Sequence, residues 1–283
     1  MHNNRRHFLK VALTSAAWIT AGNTLRAFAG YESFPSRDKV KLRVAIASDG
    51  HYGQPETAYE ANHAEMVGWL NAENAARGVD FACINGDLYH DDVRYLEPVK
   101  KLWDTLDMPY YVSHGNHDQT DEDNWIKTWN HAWHYGFEKK DIGFIVLNTA
   151  DDKGGYISPD VEKTRQLLKQ YEKHKQLFVF MHITPIKWTD NAINSPEIVT
   201  MFNNQANLKA VFHGHDHDQD NIKENNGRFY FFDSHVSGNW GTPYRGYRIL
   251  EVMKNGDILT YQMNPAKNSQ VNSRAITSSK LKK

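Results

Sequence analysis

One pattern constrains this chain more than any other. Five short apolar runs each end in a cluster of Asp, Asn or His. KLRVAIAS (41–48) runs into Asp49-Gly50-His51, and VDFACIN (79–85) into Gly86-Asp87. MPYYVS (108–113) meets His114-Gly115-Asn116-His117-Asp118, QLFVFM (176–181) meets His182, and LKAVF (208–212) meets HGHDHDQD. Apolar runs of this length between turn residues read as buried strands. Helical spacing lies between them, over 56–77, 92–107, 120–134, from Pro159 to about 173, and in a shorter piece within 184–206. GRFYFFDS and YRILEVMKNGDILTYQM, with a turn at Asn255-Gly256, make a β-rich end. Alternating strands and helices indicate a layered α/β domain. Ligands of open α/β sheets gather beyond the carboxyl ends of the strands. The polar clusters are therefore expected to converge in space.

Bulk properties narrow the classes. A chain of 283 residues with 40% hydrophobic and 24% charged residues reads as soluble and globular. A formal net charge of −1 gives no global basic field, so neither nucleic acid nor an anionic membrane is an expected partner. An anionic substrate then needs a local positive site, which a metal supplies. Cys83 is the single cysteine, so no intramolecular disulfide exists, and its place in FACIN predicts a buried, inert thiol.

Residues 1–29 have a basic start, an apolar middle and a small-residue end. The apolar part is too short and broken to span a bilayer, and Ala27-Phe28-Ala29 fits an A-x-A cleavage site. NRRHFLK resembles the twin-arginine export motif, with Asn4 where Ser or Thr is usual. The expectation is a twin-arginine-type signal, a partner in the twin-arginine export machinery, a periplasmic or secreted bacterial location and no stable membrane anchor. That route carries folded proteins, which suits a chain without disulfides and allows a metal to be loaded first. Residues 30–40 read as a polar linker, 41–264 as the domain, and 265–283 as a polar basic tail expected to be disordered.

The clusters carry metal-ligand chemistry. Asp49 and His51 have i, i+2 spacing, as do His215 and His217, so each pair points the same way from extended chain. Asp87 has two oxygens and can bridge two cations, Asn116 offers a neutral amide oxygen, and His117 a titratable ring. Alone, each motif is a common accident. D-x-H, G-D, G-N-H-D, H and G-H-x-H, in that order and each after an apolar strand, are far harder to reach by chance.

This series resembles the calcineurin-like metallophosphoesterase family over about residues 41–264. The resemblance implies a layered αββα sandwich with mixed β-sheets. It implies one metal held by Asp49, His51 and His217, another by Asn116, His182 and His215, and Asp87 bridging them. His117 would serve as general acid or transition-state stabiliser, with Asp118 orienting it. Two divalent ions less two carboxylate charges leave about two positive charges, which suits a phosphate ester attacked in line by metal-bound hydroxide. Nitrogen and oxygen ligands admit Mn, Fe, Zn, Co or Ni.

Departures from the family's branches narrow the reading. Purple acid phosphatases place a Tyr ligand three residues after the bridging Asp; here that position is His90, and Tyr89 comes one residue early. The Arg of calcineurin-type protein phosphatases is missing from GDLYHDD. The expectation is a phosphodiesterase acting on a small phosphate ester. The alternatives are a phosphomonoesterase or a non-catalytic metal-binding scaffold. His90, His114 and His213 flank ligands as candidate supports, and His235 is placed at the cleft rim. His63, His131, His134 and His174 fall in helical patterns as packing or surface residues. Loops 184–195 and 236–246, with Trp188, Asn191, Trp240 and Tyr244, are the candidate substrate wall.

Overall fold

Val44 and Ile46 face one side of their strand and Ala45 and Ala47 the other, yet all four are fully buried. A strand covered on both faces must lie inside layers, which is why these runs are apolar throughout rather than alternating. The structure, a computed structural model, describes residues 15–20, 25–29, 35–267 and 269–277. Its strands are β1 (Ser15–Thr20), β2 (Leu25–Ala29), β3 (Val40–Ala47), β4 (Phe81–Asn85), β5 (Tyr110–Ser113), β6 (Tyr135–Lys139) and β7 (Ile142–Leu147). Then come β8 (Leu177–Met181), β9 (Leu208–His213), β10 (Ile222–Asn225), β11 (Arg228–Phe232), β12 (Tyr247–Met253), β13 (Ile258–Asn264) and β14 (Ser269–Thr277). The helices are α1 (Tyr59–Arg77), α2 (Leu96–Trp103), α3 (Glu122–Trp129), α4 (Val161–Gln170) and α5 (Pro196–Asn204).

Two mixed sheets form. One has the order β2-β1-β14-β13-β12-β3-β4-β5 and the other β10-β11-β9-β8-β7-β6. Strands β3, β4 and β5 run parallel, as do β7, β8, β9 and β11. Their inner faces meet in a cluster that includes Val44, Ile46, Phe81, Cys83, Phe144, Phe180 and Phe212. Ala45, Ala47 and Ile84 on the outer face of the first sheet pack with Met66, Leu70, Trp103 and Trp125 from α1, α2 and α3. Ile145, Val179 and Val211 on the outer face of the second sheet pack with Leu168 of α4 and Ile198 and Phe202 of α5. The result is the expected helix–sheet–sheet–helix sandwich. Cys83 is buried in it, and burial pushes its thiol pKa well up, away from the reactive thiolate.

Three departures from the sequence reading have physical reasons. The β6–β7 hairpin turns at Lys140 and Asp141, both left-handed at φ 52° and 57°, where a sequence reader looks for Gly or Asn. His131, His134 and His174 lie beyond the ends of α3 and α4 rather than inside helices. The stretch expected to be a disordered tail supplies β14, which pairs antiparallel with β13. An open sheet edge offers backbone partners to any extended segment, so polar composition did not exclude it. The expected signal region contributes the outermost strands β1 and β2; its residues 1–14 and 21–24 lie outside the described residues. Among the described residues no helix is long and apolar enough to cross a membrane.

Candidate metal centre

All the clustered side chains sit where β3, β4, β5, β8 and β9 end. The loops are locked to one another through the backbone. Asp49 N–H donates to Gly86 O (3.1 Å), and Gly50 and His51 N–H both donate to Asp87 O (2.8 and 2.9 Å). Gly214 N–H donates to His182 O at 3.1 Å. These bonds hold conformations that L-residues avoid. Asp49, His51, Asp87 and His215 lie at φ 59°, 47°, 52° and 67°. Left-handed backbone costs roughly 1–2 kcal/mol per residue and persists where the surroundings over-determine it, as at functional sites. Gly214 is required by space: a Cβ there would lie 1.8 Å from Ser48 Oγ and 2.5 Å from Asp49 Oδ2.

The seven side chains proposed as ligands are all buried. Asp49, His51, Asp87 and His217 bring one donor atom each within 4.8 Å of one another, and Asp87, His182 and His215 do the same. Asp87 belongs to both groups. In the first, His51 Nε2 lies 2.9 Å from His217 Nε2 and 3.6 Å from Asp87 Oδ2, and His217 Nε2 lies 3.1 Å from Asp49 Oδ1. In the second, His182 Nε2 lies 3.0 Å from Asp87 Oδ2. Asn116 is brought to the same loops through its neighbour, since His117 N–H donates to Asp87 Oδ1 at 2.8 Å.

These residues fit a metal on chemical grounds. Asp49 Oδ2, Asn116 Oδ1 and His215 Nε2 are buried and accept or donate no hydrogen bond. A buried polar atom without a partner costs about 1–3 kcal/mol, and three on the loops that end these strands are met by a cation there. The electrostatics agree. Burial would lower the His182 pKa, but Asp87 and Asp49 beside it push it up to about 10. Burial would raise the Asp49 carboxyl, yet the His217 and His182 imidazoles hold it below the usual range. The site draws positive charge onto whichever group can carry it, and metal binding displaces such protons.

Supports around the centre are equally specific. His182 Nδ1 faces Asn85 O at 2.8 Å and His217 Nδ1 faces Trp240 O at 3.2 Å, leaving each Nε2 for the centre. Of the flanking histidines, His90 is the one in polar contact with a proposed ligand, its Nδ1 lying 3.1 Å from His51 Nδ1. His114 instead joins Asn148 Oδ1 and Asp118 O, and His213 faces Met181 O. His235 stacks on His217 with centroids 5.4 Å apart.

Asp118 does not orient His117. Its carboxylate accepts N–H bonds from Leu88, Tyr89 and Gly115 and is fully buried, so it ties two loops together. The partner of His117 is Asp91, whose Oδ1 lies 2.7 Å from His117 Nδ1. Asp91 is left-handed at φ 60°, its N–H donates to His117 O (2.9 Å), and Gln119 Nε2 donates to its Oδ1 (3.0 Å). Sequence reasoning passed over it, although an acid four residues after Asp87 was visible in GDLYHDD. In the expected substrate wall, Trp240 is 46% exposed beside His217. Trp188 packs on Tyr230, Asn191 faces Asp216, and the Tyr244 hydroxyl donates to Asp220 Oδ2 (2.8 Å), so these three serve the loops themselves.

A two-sheet α/β sandwich with paired His/Asp groups sharing one carboxylate at its strand ends defines a metal-dependent hydrolase of the phosphoesterase class. The sequence profile described as calcineurin-like phosphoesterase matches residues 42–219, and the chain belongs to that family. A probable cyclic nucleotide phosphodiesterase of Pseudoalteromonas sp. (strain SM9913) is 25% identical over 195 residues, covering 64% of this chain and 73% of that protein. Among solved structures, a dimetal phosphatase from Danio rerio superposes with a TM-score of 0.65 at 13% identity, covering 85% of this chain and all of that one. A purple acid phosphatase from yellow lupin (Lupinus luteus) seeds gives 0.61 at 12% identity, over 91% of this chain and 57% of that one. Both share the fold. The protein is a metal-dependent phosphoester hydrolase.

Proposed function

We propose that the protein is a phosphodiesterase using two transition-metal ions, Asp49, His51 and His217 binding one, Asn116, His182 and His215 the other, and Asp87 both. The observation that carries this reading is the membership of Asp87 in both His/Asp groups. The similarity to a probable cyclic nucleotide phosphodiesterase favours a diester substrate over a monoester.

When bound, the metals supply Lewis-acid charge to the phosphoryl oxygens and lower the pKa of water. The chain's own residues do the rest. Asp87 fixes the spacing of the two ligand sets, and the carbonyls of Asn85 and Trp240 fix the ring orientation of His182 and His217. His117 stands against His51, ring centroids 4.7 Å apart, with Nδ1 tied to Asp91. Its Nε2 is the atom left to give a proton to the departing ester oxygen. The ring is held in place by stacking on His90, centroids 4.6 Å apart. General acid assistance of this kind contributes about 10²–10⁴-fold.

The test is metal analysis followed by hydrolysis of bis-p-nitrophenyl phosphate and p-nitrophenyl phosphate with Mn²⁺. Close to two metals per chain and preferred diester turnover are expected. Preferred monoester turnover would make it a phosphomonoesterase. A metal-loaded protein inert towards a panel of cyclic nucleotides, glycerophosphodiesters, nucleotides and sugar phosphates would be a binding scaffold.

We also propose export to the periplasm on the twin-arginine route. Arg5-Arg6 with Phe8-Leu9-Lys10 and the A-x-A sequence before Gly30 support it. Cleavage there would remove only the outermost strands β1 and β2, leaving every element that carries a proposed ligand.

A further inference from the structure

Five large apolar side chains are exposed among the described residues: Val93, Ile126, Tyr156, Ile157 and Trp240. Two of them lie directly on imidazoles of the candidate metal centre. The Trp240 indole is parallel to the His217 ring, centroids 4.3 Å apart and 4° between planes. The Tyr156 ring meets the His215 ring edge to face, centroids 4.9 Å apart at 88°. Exposing an indole and a phenol at 46% and 47% wastes apolar area unless something covers it.

Both rings are held in place by their loops. Trp240 O faces His217 Nδ1, Thr242 N–H donates to His217 O at 2.8 Å, and Gly241 packs so closely that a Cβ there would lie 2.8 Å from His217 Cβ. The Tyr156 loop is closed by Asp151, whose Oδ1 accepts from the N–H groups of Lys153 (2.9 Å) and Gly155 (2.7 Å). Gly154 in that loop lies against Asn116, where a Cβ would be 2.5 Å from the Asn116 carbonyl oxygen. Each wall is thus built onto a residue proposed as a metal ligand. One belongs to the Asp49–His51–His217 set and the other to the Asn116–His182–His215 set.

We infer that Trp240 and Tyr156 are the two walls of the substrate site, and that the preferred ester carries a flat, unsaturated ring stacked on the outer face of the Trp240 indole. The inference rests on the phosphoesterase reading above and narrows its substrate class. With the phosphoryl group held between the two ligand sets, organic groups on either side of it would pass over one aromatic wall or the other. Trp240 has its inner face on His217, so its outer face is the platform. Stacking on such a platform tolerates many rings because every one has a π-face. Saturated arms such as glycerol lack that face.

The experiment uses the metal-loaded protein and two phosphonates that differ only in the ring. Calorimetry measures binding of phenylphosphonate and methylphosphonate; turnover is measured with bis-p-nitrophenyl phosphate and glycerophosphoethanolamine. For Trp240→Ala, a rise of about 10-fold or more in the phenylphosphonate Kd and in the aryl ester KM is expected, from the loss of one stacked ring. Any change in the methylphosphonate Kd and the glycerophosphoethanolamine kcat/KM should be smaller, so that the aryl-to-alkyl ratio falls by about 10-fold. Trp240→Phe should restore most of the aryl preference. Tyr156→Leu provides an independent variant and should lower aryl preference by a smaller factor. Equal losses on aryl and alkyl ligands would overturn the inference, because Trp240 would then only support His217. Wild-type protein that binds neither phosphonate and cleaves neither ester would overturn the phosphodiesterase reading itself.

Discussion

Two regions of this molecule bury several charges, and they are built on opposite principles. In the first, Arg43 and Arg77 meet Glu73 and Glu251 between the helix-facing layer and strand β12. Arg43 Nε lies 2.7 Å from Glu251 Oε1, Arg77 pairs with Glu73, and the Tyr247 hydroxyl donates to Glu73 Oε2 at 3.1 Å. Two cations face two anions, so the cluster is neutral without help. In the second, Asp49 and Asp87 face His51, His182, His215 and His217, and among the described residues no Lys or Arg pairs with either carboxylate. The first region balances itself within the fold. The second does so only by protonating imidazoles or by taking up a metal. Burial of charge is therefore a poor marker of function, and unmatched valence is a good one.

The largest effect should come from removing the carboxylate that both ligand groups share. Asp87→Ala should lower turnover of any ester by more than about 10³-fold and reduce metal content, measured by elemental analysis beside steady-state kinetics. Retained turnover would remove Asp87 from its bridging position.

The neutral cluster should behave in reverse. Glu251→Gln leaves Arg43 and Arg77 facing one carboxylate instead of two. Breaking a buried pair in this way costs about 3–5 kcal/mol of stability. The loss should appear as a lower urea midpoint with unchanged slope, while kcat per metal-loaded molecule stays the same. If kcat falls with stability intact, the two regions are coupled and the contrast between them fails.

Legibility followed the same division. The gathering of these side chains at one end of the sheets was readable because strand ends are simple to find and because D-x-H and G-H-x-H show their spacing in one dimension. The sandwich was readable from runs such as VAIA and FVFM, which have no polar face. The β6–β7 turn at Lys140-Asp141 and the pairing of Ser269–Thr277 were not, because each depends on a backbone partner rather than on composition. Asp118 misled because it adjoins His117 in sequence, whereas the chain turns its carboxylate inward to three N–H groups. Trp240 and Tyr156 lie 84 residues apart in number (240 less 156), and only the fold places both on imidazoles of one centre.

Asp91 lies between the two regimes and gives the smallest expected effect. Its carboxylate is 48% exposed and its partner His117 is 32% exposed, so solvent screens the pair and its contribution to stability is small. Its value is positional, because it fixes which nitrogen of His117 faces the cleft. Asp91→Asn keeps the shape and can still accept from Nδ1–H, but it weakens the hold on a protonated ring. A fall in kcat of about 10-fold is expected, with metal content and urea midpoint unchanged, in line with other residues that orient a functional histidine. The loss should be greatest for esters with poorly stabilised leaving groups, which depend most on proton donation, and smallest for p-nitrophenolate. An equal loss for both leaving groups would mean that Asp91 shapes the loop rather than the proton transfer. The charge pair would then belong with the self-balanced cluster rather than with the centre.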